Sequence, residues 1–439
     1  MTAEIALMNK EAIALAADSA VTMTTGSIPK IFPSANKIFT LSKYHPVGIM
    51  IYGAASFMGV PWETIIKIYR SKLCRTSFPE LGDYARDFMN FIDNGDNLFP
   101  ESMQESFMKE WLASYFIYVN NKLLDEVESK IKEFGKLNKR GINQIITEIF
   151  KQQRSIWEKA EMIPDIPDDF ENEVLEKYSS VFDELIGVIF EKLPLSKKHR
   201  DQLKYMACSC LSKFSRELEG PTNTGIVIAG FGDNDIFPVL MSYRLELIIN
   251  NKVKYKIIHN NKISYQMGAS IIPFAQSEMV MAFMEGVDPK YKSVKDSLIS
   301  KIFDKYPSII VDNIEGYSEQ EKQQLEMKLR DASASLLNDL SNRLDEYRRN
   351  NYTNSVINVV SGLPKDELAK MAESLVNLTS FKRRVSPVSE TVGGPIDVAI
   401  ISKGDGFIWV KRKHYFEGEL NPQFRENYYG RCKDDEEIQ

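Results

Sequence analysis

The second residue is a threonine, and a threonine there can do chemistry that an interior one cannot. Its side chain is small, so Met1 is expected to be clipped during synthesis, leaving Thr2 with a free α-amine beside its own hydroxyl. Such an amine has an ordinary pKa of about 7.7–8.0, so much of it is neutral near pH 7–8 and accepts a proton. One residue then supplies both the nucleophile and its general base. A lysine close by lowers the amine's proton affinity by like-charge repulsion, and that lysine needs a carboxylate to hold it charged and in place. Taken alone, a threonine in second position is common and implies no activity.

The rest of the composition offers little competing chemistry. The chain has 439 residues, 43% of them hydrophobic and 26% charged, which is ordinary globular composition with enough apolar material for a large core. A net charge of −6 argues against nucleic-acid binding as the main activity. No apolar run approaches the roughly 20 residues of a membrane helix, and the start lacks a secretory signal's basic-then-apolar plan. A cytoplasmic protein with no nucleic-acid or membrane partner is therefore expected. The four histidines (His45, His199, His259 and His414) include no pair at ligand spacing, so no metal site is assigned. Four cysteines are too few and scattered for a disulfide scaffold, and Cys208-x-Cys210 falls on a helix, where core packing explains it. Neither GxxxxGK[ST] nor GxGxxG is present, and no cofactor is implied.

The elements that would position Thr2 are short apolar runs. Residues 3–8 and 12–17 read as a hairpin about Asn9-Lys10-Glu11, and 37–41 and 46–53 as a second strand pair. A loop rich in Thr, Gly, Pro and Ser separates the pairs, from Thr22 to Ala35. Helical period follows over 55–73, with Phe57, Val60, Ile65 and Ile68 as candidate buried positions. From about 80 to 218 the texture is helical. Phe107, Trp111, Tyr115, Val119, Leu123, Val127 and Ile131 form a stripe every four residues, and 163–169 breaks the run before helices at 170–192 and 198–217. Strands are expected again at 224–231, 236–249, 251–258 and 262–268, then a helix over 272–286. Helices follow over 288–350 and 364–380, a last hairpin over 396–402 and 406–411, and a solvated tail. Hairpins bunched together with helices between them indicate an α+β fold with mainly antiparallel sheets.

The stretch Thr2-Ala3-Glu4-Ile5-Ala6-Leu7 … Ala16-Ala17-Asp18-Ser19-Ala20-Val21-Thr22 resembles the opening of proteasome β-type subunits, which are N-terminal-nucleophile hydrolases. Asn36-Lys37-Ile38-Phe39 is similar to the family's lysine before an apolar strand, and Gly48 to Ala55 to its strand ending in Gly-Ala-Ala. Weaker likenesses are 226–231 to the central strand, Gln266-Met267-Gly268-Ala269-Ser270 to the Gly-Ser-Gly-Ser turn, and 392–398 to the Ser-Gly-Gly turn. The resemblance implies a four-layer αββα sandwich of antiparallel sheets with helical insertions. Its segments are 1–74, 221–287 and 386–415, with insertions at 75–220 and 288–385 (the latter including a core helix) and a tail at 416–439. It implies Thr2 as nucleophile, Lys37 tuning its electrostatics, Asp18 orienting Lys37, and Gly53 in the oxyanion hole. Val21 and Met50 would shape an apolar specificity pocket, Thr22 would bind extended peptide by strand addition, and Ser270 and Ser389 would be supporting residues.

The sequence departs from the family at Ala269, where a serine is usual, at Val392, and at Tyr52, where a glycine is common and a ring would crowd the cleft. Two functions of different class follow. The first is a threonine-type peptidase or amidohydrolase acting on a peptide, protein or other amide; the second is a non-catalytic scaffold that binds partner proteins through its helical insertions. Homo-oligomerisation is implied by the resemblance.

Overall fold

Asn9 turns the first hairpin. Its side-chain oxygen accepts the amides of Glu11 and Ala12 at 3.0 and 3.1 Å, an Asx-type turn that reverses the chain between Ala3–Asn9 and Ala12–Ala17. The computed structural model describes residues 3–25, 28–94, 98–215, 224–385 and 393–429. The chain is α+β with antiparallel sheets, and it divides into two compact units, residues 1–38 with 262–428 and residues 39–261 with 429–439.

In the first unit five strands run in the order Ala269–Ala275, Ala3–Asn9, Ala12–Ala17, Asp397–Ser402, Gly406–Lys411, every neighbouring pair antiparallel. Side chains alternate across the sheet. Ile5, Leu7, Ala14 and Ala16 pack in one cluster with Val280, Leu368, Ala372 and Leu375 from the helices Glu278–Glu285 and Lys365–Arg384. Small alanines on Ala12–Ala17 let Lys365–Arg384 lie close to the sheet. Glu4, Ala6 and Met8 point to the opposite face and are equally buried. A helical hairpin, Pro289–Asp312 and Glu319–Arg348, extends this unit.

The second unit carries another antiparallel sheet, ordered Lys252–Lys262, Val239–Ile249, Thr224–Gly230, Val47–Gly53, Ile38–Thr40. Among its described residues six helices cover the core, including Trp62–Leu73, Glu101–Phe134 and Lys197–Ser212. The four-residue stripe of Glu101–Phe134 is buried from Trp111 through Leu123 and runs out to an exposed Ile131. Cys208 and Cys210 are free and buried in this core, while Cys74 is disulfide-bonded. Burial pushes the Cys208 thiol up to about 12.

Several expected elements shift. The stretch expected as a loop from Thr22 to Ala35 contains a second hairpin, Val21–Thr25 with Ile28–Phe32, because its threonines and isoleucines favour extended backbone. Residues 56–61 form a tiny hairpin before the helix Trp62–Leu73, and Ile68 faces solvent. Asn260-Asn261 is not a turn; the strand runs through it to Lys262. The strand expected at 262–268 lies at Ala269–Ala275, and the helix begins at Glu278. Pro273 suits the first turn of a helix, but it is equally tolerated on a sheet's edge, where this strand lies. Within 416–439, Pro422–Tyr429 is helical and the Phe416 and Phe424 rings meet edge-on at 4.7 Å; the solvated end expected at Lys433-Asp434-Asp435-Glu436-Glu437 lies outside the described residues.

Candidate active site

The hairpin Ala3–Asn9/Ala12–Ala17 ends with Asp18 alongside Ala3, and the Asp18 amide donates to the Ala3 carbonyl at 3.1 Å. In return the Ala3 amide, which belongs to the residue after Thr2, donates to Asp18 Oδ1 at 3.0 Å. Lys37 Nζ reaches the same oxygen at 2.5 Å. The other carboxylate oxygen, Oδ2, accepts from the Gly393 amide at 2.9 Å and the Ala20 amide at 3.4 Å. Asp18 is 1% exposed and Lys37 5%. One buried carboxylate thus ties together the chain's opening strand, a lysine and the turn before the last hairpin. Charge-assisted bonds of this kind are the stronger class of hydrogen bond.

The turn itself is shaped by Gly394, whose φ of +81° suits glycine and whose missing side chain leaves room for Pro33; a Cβ there would sit 2.7 Å from the proline's own. Ser19 adds a second tie, its hydroxyl donating to the Pro395 carbonyl.

Glu4 is the residue that sequence reasoning missed. Its Oε1 lies 3.3 Å from Lys37 Nζ, and its side chain is wholly buried. Lys37 therefore sits between two carboxylates. The available signal was a lone charge at an inward position of an otherwise apolar strand, which is rarely buried without a partner.

The remaining expected site residues divide by place. Thr2, Ser389 and the side chain of Thr22 lie outside the described residues, and Val21 is partly exposed. Gly53, with φ +81°, and Met50, fully buried, belong to the second unit, on the strand Val47–Gly53. Tyr52 on that strand lies across Gly225 of its neighbour, where a Cβ would fall 2.0 Å from the ring. Ser270 needs correction. It pairs with Met8, five residues from Ala3 and roughly 17 Å along the strand, so it stands at the far end of the sheet. The residues that turn from strand into helix beside Ala3 are Ala275 (φ 58°), Gln276 and Ser277.

Among the described residues no group of three or more His, Cys, Asp or Glu side chains could hold a metal ion, and no helix is long and apolar enough to cross a membrane. No protein-family model matches the chain, and no curated protein is similar to it.

Proposed function

We propose that the chain is a threonine-type N-terminal-nucleophile hydrolase of proteasome-like αββα architecture, cleaving peptide or other amide bonds. The observation that carries this reading is the double grip of Asp18 on the Lys37 ammonium and on the amide of Ala3. In support of this reading, a buried lysine and the amide of Ala3, the residue that follows Thr2 in sequence, share one carboxylate oxygen.

In the reaction the Thr2 hydroxyl attacks the substrate carbonyl while its α-amine takes the hydroxyl proton. The tetrahedral oxyanion is met by preorganised backbone N–H donors, a role the resemblance gives to Gly53. Collapse breaks the C–N bond, the leaving amine departs with the proton, and an ester on Thr2 remains. Water, deprotonated by the same amine, then releases the acid and restores the hydroxyl. Lys37 holds positive charge beside this cycle, and Asp18 holds Lys37 and the first strand in register.

Intact-mass analysis tests the premise, since retained Met1 blocks the amine and removes the hydrolase reading. A peptide epoxyketone or β-lactone is expected to form one adduct on Thr2, absent from Thr2→Ala. No adduct on a protein whose Met1 has been removed would favour the scaffold instead.

A further inference from the structure

The helical hairpin of the first unit leaves a face uncovered. On Pro289–Asp312 the side chains of Tyr291, Val294, Leu298, Ile302, Tyr306 and Ile309 are each 54–64% exposed. Their spacing of 3, 4, 4, 4 and 3 residues spans five turns at 3.6 residues each, so they form one straight stripe. The helix start is fixed by Asp288, whose Oδ1 accepts the amides of Lys290 and Tyr291 at 2.9 and 3.3 Å. Pro307 and Val311 are buried on the other side, and Glu319–Arg348 packs against this helix.

The stripe is a palindrome about residue 300. Residues 291 and 309, 294 and 306, and 298 and 302 are equidistant from that point. A twofold interface requires this property, because residue i must meet j while j meets i. We infer that this helix pairs antiparallel with the same helix of a second copy of the chain, across a twofold axis level with residue 300. The outer layers set a tyrosine against a β-branched side chain, Tyr291 on Ile309 and Val294 on Tyr306, and the inner layers set Leu298 on Ile302. Neither tyrosine meets a tyrosine. At the two ends Lys290, which also pairs with Glu278 of its own chain at 3.5 Å, falls within two residues of the copy's Asp312 on the same flank. By the same reflection Lys295 falls opposite the copy's Lys305, and Lys301 approaches its own copy near the axis, so charge opposes pairing and the apolar layers carry the contact. Covering six such side chains removes on the order of 600 Å² from each copy, about 1,200 Å² in total and the lower end of the range for specific interfaces.

Sedimentation velocity on the full chain tests the inference. The wild type is expected to sediment as paired copies at micromolar concentration. Leu298→Asp with Ile302→Asp, both on the exposed face, is expected to halve the mass and raise the dissociation constant roughly a hundredfold or more. A wild type that stays monomeric at all concentrations overturns the inference, as does a double variant that still pairs. Register is read separately, under oxidation. Mixed Leu298→Cys and Ile302→Cys proteins are expected to cross-link faster than either alone, and equal rates would rule out the antiparallel alignment. Neither measurement depends on catalysis.

Discussion

Lys37 and Lys254 are both buried lysines set against carboxylates, one in each unit, and their surroundings differ in an instructive way. Lys254 Nζ is 2.8 Å from Glu246 and donates to the Cys210 carbonyl at 2.7 Å. The rings of Trp111 and Phe214 lie 4.4 and 4.9 Å away. That ammonium is enclosed by core, with aromatic faces completing its shell. Lys37 is held by Asp18 and Glu4, and Asp18 is bonded in turn to backbone amides of Ala3 and Gly393. A buried ion pair by itself is no mark of a site. What separates the two is wiring: Asp18 leads to the backbone of the opening strand and of the turn before the last hairpin, whereas Glu246 meets Lys254 within a packed core.

Replacing each lysine breaks the comparison most severely. Lys37→Ala is expected to lower amide hydrolysis per folded molecule by about a thousandfold or more and to abolish electrophile labelling of Thr2. Both Lys37→Ala and Lys254→Ala leave buried carboxylates unpaired and are expected to cost about 3–5 kcal/mol in urea unfolding, but Lys254→Ala is expected to leave labelling per folded molecule unchanged. Equal loss of activity from both would mean that the two pairs do one structural job.

A finer test uses Glu4, the second carboxylate at Lys37. Glu4 brings a second negative charge to the Lys37 ammonium and offsets part of its repulsion of a neighbouring protonated amine. Glu4→Gln removes that charge, so the amine gives up its proton more readily. The acid limb of kcat/KM is therefore expected to move to lower pH, by up to about one unit, without a large change in the maximum. A limb that stays put would assign Glu4 to packing alone.

The opening hairpin was legible because its signals are local. Ala3–Asn9 and Ala12–Ala17 lie within a residue of their expected bounds, and Asn9 carries the turn chemistry between them. The final hairpin, Asp397–Ser402 with Gly406–Lys411, was legible for the same reason. Errors gathered where a residue suits two states. Pro273 fits a helix start or an edge strand, and the Asn260-Asn261 pair fits a turn or an extended run. In both cases pairing with a distant strand decided.

From its residues alone the chain declared alternating strands, amphipathic helices and a reactive residue type at position 2, since period, turn chemistry and composition act over a few neighbours. Only the folded chain revealed that Asp18 spans Ala3, Lys37 and Gly393, that Glu4 joins them, and that Ser270 stands at the far end of the sheet. Such contacts follow from strand register between segments up to 375 residues apart, and register is a property of the whole sheet.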